Sequence, residues 1–194
     1  MRKMIIIICL LVTAGQVMAQ ADKDSAELVK RLDIFMQYNN QMDFDKVMDY
    51  VYPKVFTIAP RKEVQASMEE AFSNEELGIK MDSLKIERVY PLFSEGKNKY
   101  ARVTYSMLIL MTPKTDDDDS TGINSFLDIM QGQYGKENVR LDITGKTILI
   151  SQKVDMAAIR DDLSPEWTFL NIVREDPTME MLLSKNLIER FYKD

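Results

Sequence analysis

The spacing of the apolar residues changes from helical to alternating near residue 78, and that change dictates the fold class. Before it, Leu28, Leu32, Phe35 and Met36 recur every three or four positions, which lines one face of a helix. After it, Ala101, Val103, Tyr105, Met107 and Ile109 recur every second position, which lines one face of a strand. Helical segments followed by a meander of long strands predict an α+β domain, its helices on one face of a curved antiparallel sheet.

Asp24 with Glu27 three positions on reads as a helix start, and residues 25–41 as the amphipathic helix it opens. Asp43 caps a second helix that carries Phe44, Val47, Met48 and Val51 and ends before Pro53. Pro60 opens a third, with Val64, Met68, Ala71 and Phe72 on one side and Gly78 closing the region. Strands are expected over 79–90 and 99–111 around a turn at 94–98, with a bulge where the first loses phase at Asp82 and Ser83. A second hairpin is expected over 139–143 and 146–158 around Thr144 and Gly145, and a last strand over 166–173. Asp176 and Pro177 open a final helix with Met181, Leu182, Ile188 and Phe191 turned inward. Between the hairpins lies an acidic insertion near 112–135, containing the aspartates 116–119 and a short helix over 123–130.

The first nineteen residues read as an export address. Arg2 and Lys3 precede an apolar stretch over 4–12, and Ala14, Gly15, Val17 and Ala19 supply small residues before Gln20. This is the layout of a secretory signal peptide cleaved after Ala19, and the apolar stretch is too short for a permanent membrane anchor. Residues 20–194 are then one domain, exported to a periplasm or beyond the cell, with no membrane span of its own.

That address also removes chemistry. The chain has no histidine and one cysteine, Cys9, which the cleavage discards. Ser-His-Asp and Cys-His catalysis, histidine-ligated zinc and structural disulfides are thereby excluded. No glycine-rich loop leads into a Gly-Lys-Ser/Thr triplet, so nucleotide chemistry is not expected, and no cofactor is implied. The formal charge of −6 falls to −8 without Arg2 and Lys3. That argues against nucleic acid, which needs a basic face.

Three N-terminal helices, bent strands with one apolar face and a late Trp167-Thr168-Phe169 strand resemble the nuclear transport factor 2-like superfamily, with its polyketide cyclase-like and ketosteroid isomerase-like members. The resemblance covers residues 24–173 as an order of elements. The stretch from Asp43 to Pro53 is similar to the family's second helix. The resemblance implies a cone-like domain with a pocket between sheet and helices, and a homodimer formed through the sheet. The terminal helix and the acidic insertion depart from the smallest members. No active-site motif of the family is matched position by position.

Three groups of residues are candidate sites. From Asp117, acidic residues at loop positions 1, 3 and 12 with Gly122 at 6 give a partial calcium-loop spacing. Pro113 upstream and Asn124 at the usually apolar eighth position count against it, so no metal is expected. Tyr38, Tyr105, Met107, Trp167 and Phe169 are the expected lining of an apolar pocket where the first helix crosses the sheet, with plain core filling as the competing role. Asp43, Asp45 and Asp49 with Tyr50 and Tyr52 offer a carboxylate base beside a phenol donor, although capping and surface roles also account for them. The leading expectation is therefore a non-catalytic exported domain that binds a small apolar ligand or a protein partner. The alternative is a small isomerase, cyclase or lyase using a buried Asp with a Tyr donor.

Overall fold

The computed structural model describes residues 23–73, 75–114 and 120–193. The export segment and the aspartates 116–119 lie outside the described residues, and the calcium-loop spacing with them.

Helix α1 covers 23–40, followed by the short α2 (Phe44–Val47), a 3-10 turn (Pro53–Thr57) and α3 (Arg61–Phe72). The strands are β1 (Leu77–Val89), β2 (Phe93–Glu95), β3 (Asn98–Pro113), β4 (Val139–Leu141), β5 (Ile148–Asp161) and β6 (Ser164–Ile172). Helix α4 (Ser120–Tyr134) joins the two hairpins, and α5 (Met179–Leu182) and α6 (Lys185–Phe191) end the chain's described part. This is the α+β arrangement the apolar spacing predicts. All strand pairings are antiparallel in the order β1-β3-β5-β4, with β2 extending the β1 edge along β3 and β6 extending the β4 edge along β5.

Alternation along β3 and β5 assigns the two faces of the sheet. Ala101, Val103 and Tyr105, with Met156 and Ala158 directly opposite in β5, pack against Leu28, Leu32 and Met36 of α1. Farther along the same face, Ile109, Met111, Ile148 and Ile150 lie under Phe126, Leu127 and Met130 of α4. The other face is covered at its opposite end. There Tyr100, Ala157, Ile159, Leu170 and Ile172 pack against Leu182, Leu187 and Phe191 of α5 and α6. Helices therefore lie on both faces, not on one, because Tyr100, Leu170 and Ile172 interleave with the residues under α1 and need a cover of their own.

Several local expectations change for physical reasons. Asp24 is not a helix cap: the chain is already helical at residue 23, and the Asp24 carboxylate is buried against Lys99 and Arg160. The second helix stops at Val47, and residues 50–52 leave it to run beside β6. The Phe169 N–H donates to Tyr50 O at 2.7 Å, and the Tyr52 N–H to Phe169 O at 2.9 Å. Gly78 does not end a helix; α3 stops at Ser73, and Gly78 sits in β1 opposite Thr112, where a Cβ would come 3.3 Å from the Thr112 carbonyl. The final helix is broken at Leu183 and Ser184, which shifts its phase. Leu182, Ile188 and Phe191 are buried as expected, but Met181 turns to solvent, and Met179, Leu183 and Leu187 are buried in addition.

Candidate functional site

The five residues expected to line a pocket are brought together, but around packed side chains. Tyr105, Trp167 and Phe169 are each less than 10% exposed, and Met107 packs half-buried at the margin of the same cluster. Phe169 lies 4.8 Å from the Phe35 ring, and the Tyr105 hydroxyl donates to Asn171 Oδ1 at 3.1 Å. Tyr38 joins from outside, its ring 5.8 Å from Tyr50, with the Lys46 ammonium 5.1 Å above it. Arg160 stacks on the Trp167 indole at 5.0 Å, and Arg31 donates to the Trp167 carbonyl. The indole N–H of Trp167 is buried without a hydrogen-bond partner. None of the five borders either of two hollows in the surface of the described residues.

One of those hollows, of about 440 Å³, lies beside this cluster, between the second half of α1 and the middle of β1. Met36, Leu84 and Ile86 give it an apolar floor, and Asp33, Gln37, Asn40 and Lys85 a polar rim. A bulge makes it. Asp82 pairs with Leu108 and Lys85 with Ser106, so Ser83 and Leu84 together oppose Met107 alone. Ser83 accommodates the extra residue with φ at +53°. A second shift between Ile86 and Arg88 bends the strand again. The size is that of a small-molecule site. The rim residues went unsuspected in the sequence, yet a trace exists: 33, 37, 40 and 41 fall on one helix edge beside Met36.

The acid–phenol candidates are separated by the fold. Asp43 caps α2, accepting from the Lys46 N–H at 3.3 Å and pairing with the Lys46 ammonium at 2.8 Å; that ammonium holds its carboxyl below the usual range. Asp45 and Asp49 face solvent and embrace Arg61 at the start of α3, the closer contact being 2.7 Å from Asp49. Tyr50 is held under the Arg31 guanidinium at 4.5 Å. Tyr52 is buried and donates to Asp161 Oδ2 at 2.8 Å, while Asp161 Oδ1 accepts from the Leu163 and Ser164 N–H groups of the β5–β6 turn. Burial first, and then the Asp161 contact, push the Tyr52 phenol well above its ordinary pKa. This pair ties the 50–52 segment to the turn, and it is remote from the cleft residues in the sheet.

Among the described residues no group of three or more Asp, Glu, His or Cys side chains gathers as a metal site. No helix there is long and apolar enough to cross a membrane. On the sheet face away from α1 and α4, Leu108, Leu110 and Leu149 are half-buried. No family model matches the sequence, and no curated protein matches it.

Proposed function

We propose that this chain is an exported, non-catalytic binding domain that takes a small molecule with an apolar body and a polar edge in the cleft between α1 and β1. The observation that carries this reading is the bulge at Ser83 and Leu84, which leaves Leu84 and Ile86 half-buried at the margin of the cluster under α1, with Met36 and the polar edge of that helix across the cleft from them. Sequences seldom leave a floor of this kind unfilled when a larger side chain would close it, because interiors pack densely. Asp33, Gln37, Asn40 and Lys85 supply both donors and acceptors around it. The order of helices and strands, ending in the Trp167-Thr168-Phe169 strand beneath α1, supports reading the domain as nuclear transport factor 2-like.

The probe for the cleft is the dye 8-anilinonaphthalene-1-sulfonate. The protein is expected to bind it saturably, and Gln37→Trp, whose indole fills the cleft from an exposed position, is expected to weaken binding at least tenfold without changing the melting temperature by more than a few degrees. No saturable binding, or an unchanged affinity in Gln37→Trp, would overturn the reading. The export part is checked separately: the chain made in a Gram-negative host is expected in the periplasmic fraction with Gln20 at its amino terminus. Recovery of the uncleaved chain in the cytoplasm would remove it.

A further inference from the structure

Strand β1 ends the sheet: it pairs with β3, and no strand pairs with its other edge among the described residues. Three consecutive residues of β1, Leu84, Lys85 and Ile86, line the hollow beside α1. A hollow resting on one face of a strand meets every second side chain. Lys85 belongs to the other face. It lies opposite Ser106, and its ammonium is 3.8 Å from Glu87, which accepts from the Ser106 hydroxyl. The hollow therefore reaches round the free edge of the strand, where unpaired backbone N–H and C=O groups stand in a row.

The register limits how much of that edge is usable. The bulge at Ser83 and Leu84 bends the strand at one end of the stretch. Glu87 is an extra residue at the other end, since Ile86 pairs with Tyr105 and Arg88 with Thr104. Bulges interrupt the regular run of edge groups and keep a long strand from adding there. Between the two irregularities, Leu84 to Ile86 spans roughly 7 Å of strand. Edge-to-edge addition of a second copy is thereby disfavoured, and a segment of about three residues fits.

We infer that the cleft between α1 and β1 takes a short apolar peptide with free termini, laid along the β1 edge with alternate side chains on Met36, Leu84 and Ile86. The inference rests on reading this hollow as a binding cleft, and it names the class of ligand. Across from the edge, Gln37, Asn40 and Gln41 carry primary amides, which offer donors and an acceptor as a peptide unit does. Two charges complete the rim. Asp33 on the helix is joined to no cation among the described residues, and Lys85 on the strand has Glu87 only at 3.8 Å. A peptide with free ends brings one ammonium and one carboxylate and so complements both. Backbone bonds to a strand edge supply affinity whatever the peptide sequence, and the floor selects apolar side chains.

The probe is the tripeptide leucyl-alanyl-leucine, followed by calorimetry and by displacement of 8-anilinonaphthalene-1-sulfonate. The tripeptide is expected to displace the dye saturably at concentrations up to about 1 mM. Methylating both of its amide nitrogens removes the donors for the edge and is expected to weaken it at least fivefold. Acetylation of one end with amidation of the other is expected to do the same, as is Asp33→Asn, an exposed change that leaves the melting temperature in place. In Gln37→Trp the tripeptide is expected to give no heat. If the dye binds but the tripeptide does not displace it, or if the methylated or capped forms displace it equally well, this inference is overturned and the cleft itself stands. Tripeptide binding that survives in Gln37→Trp would place the peptide elsewhere and overturn it too. A protein that binds neither dye nor tripeptide would overturn both readings.

Discussion

Asp24 is 3% exposed and sits between Lys99 of β3 and Arg160 of β5, while Glu27, one turn on, takes the other side of the Arg160 guanidinium at 2.8 Å. The start of α1 is thus fixed to the sheet by charge, and the apolar contacts of Leu28 and Leu32 begin directly after it. Asp24→Asn would leave two cations largely out of water without their shared anion. Breaking a buried pair in this way costs about 3–5 kcal/mol, and because Lys99 and Arg160 keep part of their solvent contact, a loss of about 2–3 kcal/mol in a urea titration is expected. Glu27→Ala, at a half-exposed position, is expected to change stability by about 1 kcal/mol or less. A similar cost for the two substitutions would refute the anchoring role of Asp24. The sequence could not show this role, because Asp24 and Glu27 have the same spacing as a capping pair and the partners of Asp24 lie 75 and 136 residues away.

The elements divide into those whose signals are local and those set by a distant neighbour. The odd-numbered residues of β3 face inward as their alternation predicts, the turn glycines Gly96 and Gly145 both have positive φ, and the phase lost at Asp82 and Ser83 is a bulge. Each of these is written in adjacent residues. The early end of α2 is not, because the competing bonds come from Phe169. The cleft inherits both kinds of signal: its bulge was legible, but the alignment of Met36 with Leu84 depends on how α1 crosses β1. The split between α5 and α6 is of the local kind in hindsight, since the Ser184 hydroxyl accepts from the Leu187 N–H at 3.3 Å and restarts the helix. Ser184→Ala is expected to cost about 1 kcal/mol, measured by urea unfolding. Met181→Lys, on the outer side of the same break at 60% exposure, is expected to stay within about 0.5 kcal/mol. A large effect at Met181 and none at Ser184 would mean that the inward face expected from an unbroken helix is the correct one.

Across the whole molecule, the sheet is covered by α1 and α4 on one face and by α5 and α6 on the other, and tyrosines are caught under both covers. Tyr105 lies beneath α1, Tyr52 and Tyr100 lie in the cluster under α5 and α6, and Tyr50 and Tyr192 are partly covered at the margins. In all five, burial is the leading cause of a phenol pKa raised above its ordinary value. A phenol that is harder to ionise when folded stabilises the fold fully below the unfolded tyrosine pKa, about 10. That contribution is lost as pH rises from there through the raised values, because the unfolded chain gives up its protons first. Five of the eight tyrosines being so placed, phenolate absorbance at 295 nm and pH 10.5 is expected to be well under that of the same chain in concentrated urea. At higher pH the missing absorbance is expected to appear together with loss of the near-ultraviolet circular dichroism of the buried Trp167. Smooth titration of most tyrosines near pH 10, with that signal intact, would mean that the two helical covers open far more readily than their packing requires.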